Sequence, residues 1–213
     1  MLSKKITIID YGCGNILNLA RAIKFLGYEA DITHDKNKII NSSYVILPGV
    51  GAFGNAMKQI EKYNLRNTIL KYAKSNKPLL GICLGMQILL TVSYEFGVHK
   101  GLGLIEGKVI KISNEKNKEI KIPHMGWNEI YPNNNKKEWK NKILKSSSIG
   151  KSFYFVHSFV CITKDYDSTI AVCNYSDISI PAVIATGNVY GCQFHPEKSA
   201  DNGLAVLKNF CET

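Results

Sequence analysis

Leu80-Gly-Ile-Cys-Leu-Gly-Met-Gln87 decides how the rest of this chain is read. An apolar, strand-like run, Pro78–Ile82, passes without a linker into a helix expected over Leu84–Tyr94, and Cys83 stands at the junction. Glycines lie two residues to either side of it, the spacing of a G-x-nucleophile-x-G elbow with cysteine in the central position. A strand that turns straight into a helix forces its pivot residue into a strained backbone, and a side chain at position 81 or 85 would clash there. A thiol at the positive N-terminal end of a helix also ionises more readily. A buried structural cysteine between two packing glycines satisfies the same five residues equally well. The pentapeptide needs a partner to decide it.

The elements on either side say what kind of sheet holds that strand. Lys5-Ile-Thr-Ile-Ile-Asp10 alternates little and is rich in β-branched residues, as befits a strand buried on both faces. After the turn Tyr11-Gly-Cys-Gly14, Asn15 is placed to cap a helix. Its apolar positions Ile16, Leu19, Ala20, Ile23 and Leu26 form one stripe, and Gly27 sits at its stop. Short strands are expected at 30–33 and 44–47, and a helix over 55–74 leads to the elbow strand. This β-α alternation predicts an α/β fold, a largely parallel central sheet with helices on both faces. The second half has another texture. Strand-like runs at 102–112, 119–123, 152–160, 169–173, 180–185 and 189–194 come without long helices between them, which predicts an antiparallel or mixed β extension. A final helix, Leu204–Cys211, is expected to be capped by Ser199 or Asp201.

A cysteine nucleophile needs a base, and the chain has five histidines, at 34, 99, 124, 157 and 195. Only His195, in Gly191-Cys-Gln-Phe-His-Pro-Glu197, has a carboxylate two residues further on that could orient it. Residues i and i+2 of an extended chain share a side, and Pro196 between them marks the end of a strand. His195 would hold the thiol proton while Glu197 fixes its tautomer. A strand-end histidine beside an ordinary surface glutamate is the plain alternative. The elbow tips the balance toward a Cys-His-Glu triad.

Composition bounds the classes. A chain of 213 residues, 45% hydrophobic and 21% charged, has the make-up of one globular domain spanning 1–213, able to bury roughly 70% of its unfolded surface. Its apolar runs are far short of the ~20 residues that cross a bilayer, and its start reads as a strand and not as a signal peptide; a cytoplasmic protein without a membrane partner is expected. Lys and Arg outnumber Asp and Glu 27 to 17, giving +10. Only Arg21 and Arg66 are arginines, however, and the lysines are not interleaved with aromatics, so no nucleic-acid partner is expected. Six cysteines, at 13, 83, 161, 173, 192 and 211, show no C-x-x-C spacing. Neither a metal site, a cofactor nor a redox pair is expected, and most of the thiols read as small buried apolar groups.

Five runs together carry a resemblance. They are Leu47-Pro-Gly-Val-Gly-Ala-Phe53, Gly81-Ile-Cys-Leu-Gly-Met-Gln87, Pro123-His-Met-Gly-Trp-Asn128, Tyr154-Phe-Val-His-Ser158 and Gln193-Phe-His-Pro-Glu-Lys-Ser199. Along essentially its whole length the chain resembles class I (triad) glutamine amidotransferases, and within them the glutaminase subunits of imidazole glycerol phosphate synthases. The resemblance implies that Cys83 attacks the side-chain amide of L-glutamine to give a γ-glutamyl thioester. His195, oriented by Glu197, would protonate the departing ammonia and then activate water. It further implies an oxyanion hole at the backbone of Leu84 and of the Gly49-Val50-Gly51 loop, with Val50 as the donor there, and glutamine contacts from Gln87, Glu95, Ser158 and Phe159. Phe159 stands where the family often has tyrosine. Ammonia would pass to a (β/α)₈-barrel cyclase partner in a heterodimer, with Asn15, Trp127, Tyr154 and Lys198 at or near the interface.

Other readings keep parts of this. A paralogous subunit could feed ammonia to the amidination of a surface-polysaccharide sugar, since the acceptor belongs to the other chain. A non-catalytic binding module on the same fold would have no use for Cys83, His195 and Glu197. A cysteine peptidase could use the same elbow, although the Pro48–Gly51 loop and the Met86-Gln87 pair fit glutamine better than a peptide.

Overall fold

A computed structural model describes residues 4–12, 14–113, 120–133, 138–139, 141–145 and 149–213. The first half runs β1 (Lys5–Ile9), α1 (Ile16–Phe25), β2 (Glu29–Thr33), α2 (Lys36–Asn41), β3 (Tyr44–Gly49), α3 (Phe53–Lys62), α4 (Arg66–Lys74), β4 (Leu79–Cys83) and α5 (Leu84–Ile88). The second half carries β5 (Leu90–Ser93), β6 (His99–Lys100), β7 (Ile105–Lys111), β8 (His124–Glu129), β9 (Tyr131–Pro132), β10 (Ser152–His157) and β11 (Phe159–Thr163). Then come β12 (Thr169–Tyr175), β13 (Ile178–Thr186), β14 (Val189–Cys192) and α6 (Ala200–Cys211).

An eight-stranded sheet ordered β2-β1-β3-β4-β14-β13-β12-β9 forms the centre. Its first five strands pair parallel, and β13, β12 and β9 continue it antiparallel. The expected α/β architecture with a mixed extension is therefore present. Alternation along the strands splits the core in two. Ile6, Ile8, Ile46, Leu80 and Ile82 face one cluster with α1 and α6 residues, while Val45, Leu47 and Leu79 face another with α3, α4 and α5 residues. Strands buried on both faces read as continuous apolar runs for this reason.

Several expectations need correction. The helix expected over 55–74 is two, α3 and α4, because Asn64 turns to φ 53°. Asn64 N–H and Leu65 N–H bond back to Glu61 O and Ile60 O, which ends α3 with a Schellman motif. The helix expected over 84–94 stops at Ile88. Leu102 and Leu104 N–H take the carbonyls of Ile88 and Leu89, and the chain continues as β5, which pairs parallel with β7. The 119–123 strand does not form in residues 120–123, where Ile122–Pro123 is cis; residue 119 lies outside the described residues, as does Cys13 of the first turn. The run 152–160 is two strands in different sheets, β10 with β8 and β11 with β7, so part of the extension folds as separate small sheets instead of widening the large one. Helix α2, capped by the Asp35 carboxylate, and strand β8 were not expected.

Two helix caps also differ. Asn15 occupies the N-cap of α1 without a side-chain bond. Ser199 is the N-cap residue of α6, but its hydroxyl accepts from Tyr154 N–H and donates to His195 O. It ties the functional loop to β10 instead of capping, and Asp201 sits inside the helix. Among the described residues no helix is long and apolar enough to cross a membrane.

Candidate active site

The carboxyl ends of β3, β4 and β14 converge. Cys83, last residue of β4, has φ 55° and ψ −111°, a strained conformation for a residue with a side chain. Crowding enforces it: a Cβ on Gly85 would lie 1.8 Å from Leu47 O, and one on Gly81 2.6 Å from Gly85 O. The thiol therefore sits at the start of α5, 94% buried.

Beyond β14 the chain turns through His195 into a 3₁₀ turn, Pro196–Lys198. His195 N–H bonds Tyr154 O, which fixes the loop against β10. His195 Nδ1 and Glu197 Oε1 are 2.8 Å apart, with both side chains 3% exposed. Nδ1 must then carry the proton, leaving Nε2 for the thiol. Burial opposes charge on the imidazole, but the Cys83 sulfur and the Glu197 carboxylate more than offset it and push its pKa up to about 10. An imidazolium is thus stabilised whenever the sulfur is anionic. Nε2 makes no hydrogen bond of ordinary geometry to oxygen or nitrogen among the described residues.

Cys83 and His195 open into a cavity of about 800 Å³, which Val50, Gly51, Leu84, Gln87, Glu95, Ser158 and Phe159 also line. Every residue expected for nucleophile, base, oxyanion hole and substrate contact, apart from Glu197 behind the imidazole and Gly49 behind the loop, thus faces one space. Leu84 is the first residue of α5, so its N–H has no i−4 carbonyl within the helix. Gly49 is buried at the end of β3; a Cβ there would lie 2.6 Å from the Tyr11 hydroxyl, which donates to Pro48 O at 2.6 Å. Val50 is 43% exposed, and Gly51 turns the loop at φ 95°. Glu95 is buried, and its carboxylate accepts from Phe53 N–H at 2.5 Å, at the first turn of α3. Gln87 donates to Phe159 O and to Gln193 Oε1.

The residues expected at a partner face separate. Trp127 and Tyr154 are paired across β8 and β10, their rings edge to face at 6.2 Å, and Lys198 Nζ lies 5.7 Å over Tyr154. Trp127 is 55% exposed. Asn15 instead lines a cavity of about 10 Å³ with Pro48, Gly49, Val50, His195 and Glu197.

Three side chains at or behind the site escaped sequence reasoning. Gln193 Nε2 donates to Cys83 Sγ at 3.7 Å. His124 and His157 form a buried pair, Nδ1 to Nε2 at 2.9 Å, and His157 Nδ1 reaches Phe159 O. Alternation offers a signal for Gln193, two residues before His195 on the same side of an extended chain. The histidines lie in two of the quoted runs, but nothing local pairs them.

Residues 7–213 match the model of the family described as glutamine amidotransferase class-I. The chain belongs to this family. Among class I amidotransferases, it is 41% identical over 209 residues to the imidazole glycerol phosphate synthase subunit HisH 1 of Legionella pneumophila, covering 97% of this chain and 98% of that one. It is 44% identical over 215 residues to the subunit HisH of Lactococcus lactis, covering 98% of each. A solved structure described as PurLQS from Thermotoga maritima superposes with a TM-score of 0.72 at 20% identity, over 99% of both chains, a likeness of fold.

Proposed function

We propose that this class I amidotransferase is the glutaminase subunit of an imidazole glycerol phosphate synthase, hydrolysing L-glutamine to glutamate and ammonia. The observation that carries the chemistry is a strained elbow thiol sharing one cavity with an imidazole whose Nδ1 is held 2.8 Å from a buried carboxylate. End-to-end relatives of 41–44% identity support the kind of subunit.

In this reading Cys83 Sγ, its proton held on His195 Nε2, attacks the carboxamide carbon of glutamine. The C–N bond breaks as the imidazolium returns that proton to the leaving nitrogen, releasing ammonia and leaving a thioester. His195 then takes a proton from water, which attacks the thioester and frees glutamate and Sγ. The oxyanion of each tetrahedral intermediate is bound by Leu84 N–H and Val50 N–H; removing one such donor typically costs about 10²–10³ in rate. Glu95 offers a carboxylate to the α-ammonium group, and Gln87, with both amide hydrogens engaged, offers only its oxygen. Ammonia passes to a (β/α)₈-barrel cyclase docked on the Trp127–Tyr154–Lys198 face. A cytoplasmic location goes with this reading.

Treating the chain with a diazoketone analogue of glutamine, with the cyclase present, should alkylate Cys83 Sγ with release of N₂, adding the mass of one analogue less dinitrogen. Cys83→Ala should abolish both labelling and glutaminase turnover, a loss of at least about 10³-fold, while the far-UV spectrum is kept. Normal turnover in that variant would remove Cys83 from the mechanism. Rescue of a histidine auxotroph by the chain and its cyclase tests the pathway; failure there with success in sugar amidination would move it to the other acceptor.

A further inference from the structure

We propose that Gln193 is a thiolate-stabilising residue: its side-chain amide donates to Cys83 Sγ, and the Phe159 carbonyl sets that amide's orientation through Gln87. This rests on the reading of Cys83 as the nucleophile.

The directions of the three hydrogen bonds that link Phe159 O, Gln87, Gln193 and Cys83 follow from one backbone group. Phe159 O can only accept. Gln87 lies 3.2 Å from it through its side-chain amide, so the atom facing it must be Nε2. The second hydrogen of Nε2 points to the Gln193 amide at 3.1 Å, and the atom receiving it must be Oε1. Gln193 Nε2 is then the atom left facing Cys83 Sγ, 3.7 Å away. Turning either amide over would set oxygen against oxygen or nitrogen against nitrogen. His157 Nδ1, 2.9 Å from the same carbonyl, fills its second lone pair. Gln193 itself has no exposed surface, and its N–H is pinned to Ala182 O.

An N–H donor at the sulfur matters because another neighbour favours the opposite state. Val156 O, 3.9 Å from Sγ, can accept from a thiol but has nothing to offer a thiolate. A donor bonded to the charged form lowers its pKa. The other titratable groups around Sγ are His195, backed by Glu197, and the thiols of Cys161 and Cys192, which burial keeps protonated. His157, neutral through its own burial, stands on the far side of the Phe159 carbonyl. Gln193 is the uncharged donor in this set, so its contribution persists when His195 is neutral.

The test is the pH dependence of Cys83 alkylation by iodoacetamide in the full-length chain, read by peptide mass spectrometry. Gln193→Met removes the donor at similar volume. Gln193→Glu keeps an acceptor for Gln87 and places oxygen against the sulfur. In both the alkylation midpoint should rise by about one pH unit, with about tenfold slower alkylation below it, while Cys161 stays unreactive as the sign of an intact core. If either variant exposes Cys161, the unsubstituted protein carries the test. The Gln193 side-chain ¹⁵N resonance should shift in step with Cys83 titration and lose that step in Cys83→Ala. An unshifted midpoint in folded variants, or a flat resonance, overturns the role of Gln193 while leaving Cys83 as nucleophile. A Cys83 that the diazoketone leaves unmodified with the cyclase present overturns both.

Discussion

Cys83 keeps a positive φ, which costs of order 1–3 kcal/mol, because there is nowhere else for the elbow to go. The two glycines beside it differ in kind from Gly51. At Gly85 an added methyl carbon meets the Leu47 carbonyl at 1.8 Å, backbone against backbone, and no side chain can move to relieve it. Gly85→Ala should therefore lower unfolding stability by more than about 3 kcal/mol in urea titration and open Cys83 to indiscriminate alkylation. Gly51→Ala meets nothing within 4 Å, and only its φ of 95° is strained. It should cost about 1–2 kcal/mol and leave the buried cysteines protected. The elbow and the His-Pro-Glu run were legible because both are encoded within five consecutive residues. Alternation puts Gln193 on the side of His195, but its contacts with Gln87 and Cys83, 106 and 110 positions away, have no local spacing that expresses them.

At the scale of elements, hydrophobic periodicity read buried faces well and ends badly. The stripe of Phe53, Ala56, Met57 and Ile60 in α3 and that of Ile69 and Tyr72 in α4 are both buried, so the pattern alone suggests one long helix. What breaks it is the backbone of Asn64, a residue that tolerates φ 53° better than most. A β-branched residue there has to adopt the same conformation at greater cost. Asn64→Val should destabilise by about 1–2 kcal/mol, and Asn64→Gly should be neutral or better, as thermal unfolding of the two variants would show; equal melting temperatures would mean that the Schellman turn does not fix the break. The run after Cys83 failed for a related reason. A short apolar stretch such as Ile88–Val92 suits strand or helix equally, and the carbonyls of Ile88 and Leu89 are claimed by residues 102–104, which no window around position 88 contains.

Across the whole molecule, three buried histidines oppose one another in how they couple folding to pH. His124, stacked between Phe155 and Tyr175, and His157 join the two-stranded β8–β10 sheet, and burial lowers both to a pKa of about 4 from 6.5. Unfolded chains bind those protons first as pH falls. The stability that the neutral pair contributes is whole above pH 6.5 and is lost progressively between 6.5 and 4, with a slope of up to about 1.4 kcal/mol per pH unit for a histidine as buried as His157. His195, raised to about 10, works the other way. Its contribution is whole below 6.5 and is lost as pH climbs through 10. Stability against urea should therefore peak near neutrality and fall on both flanks. His157→Gln should flatten the acid flank and spare the alkaline one, whereas His195→Gln should do the reverse between about pH 6.5 and 9, above which the thiols that burial holds protonated add a loss of their own. An acid flank that is as steep in His157→Gln as in the unsubstituted chain would mean that the β8–β10 pair does not couple folding to pH, and that carboxylates alone set the acid limit.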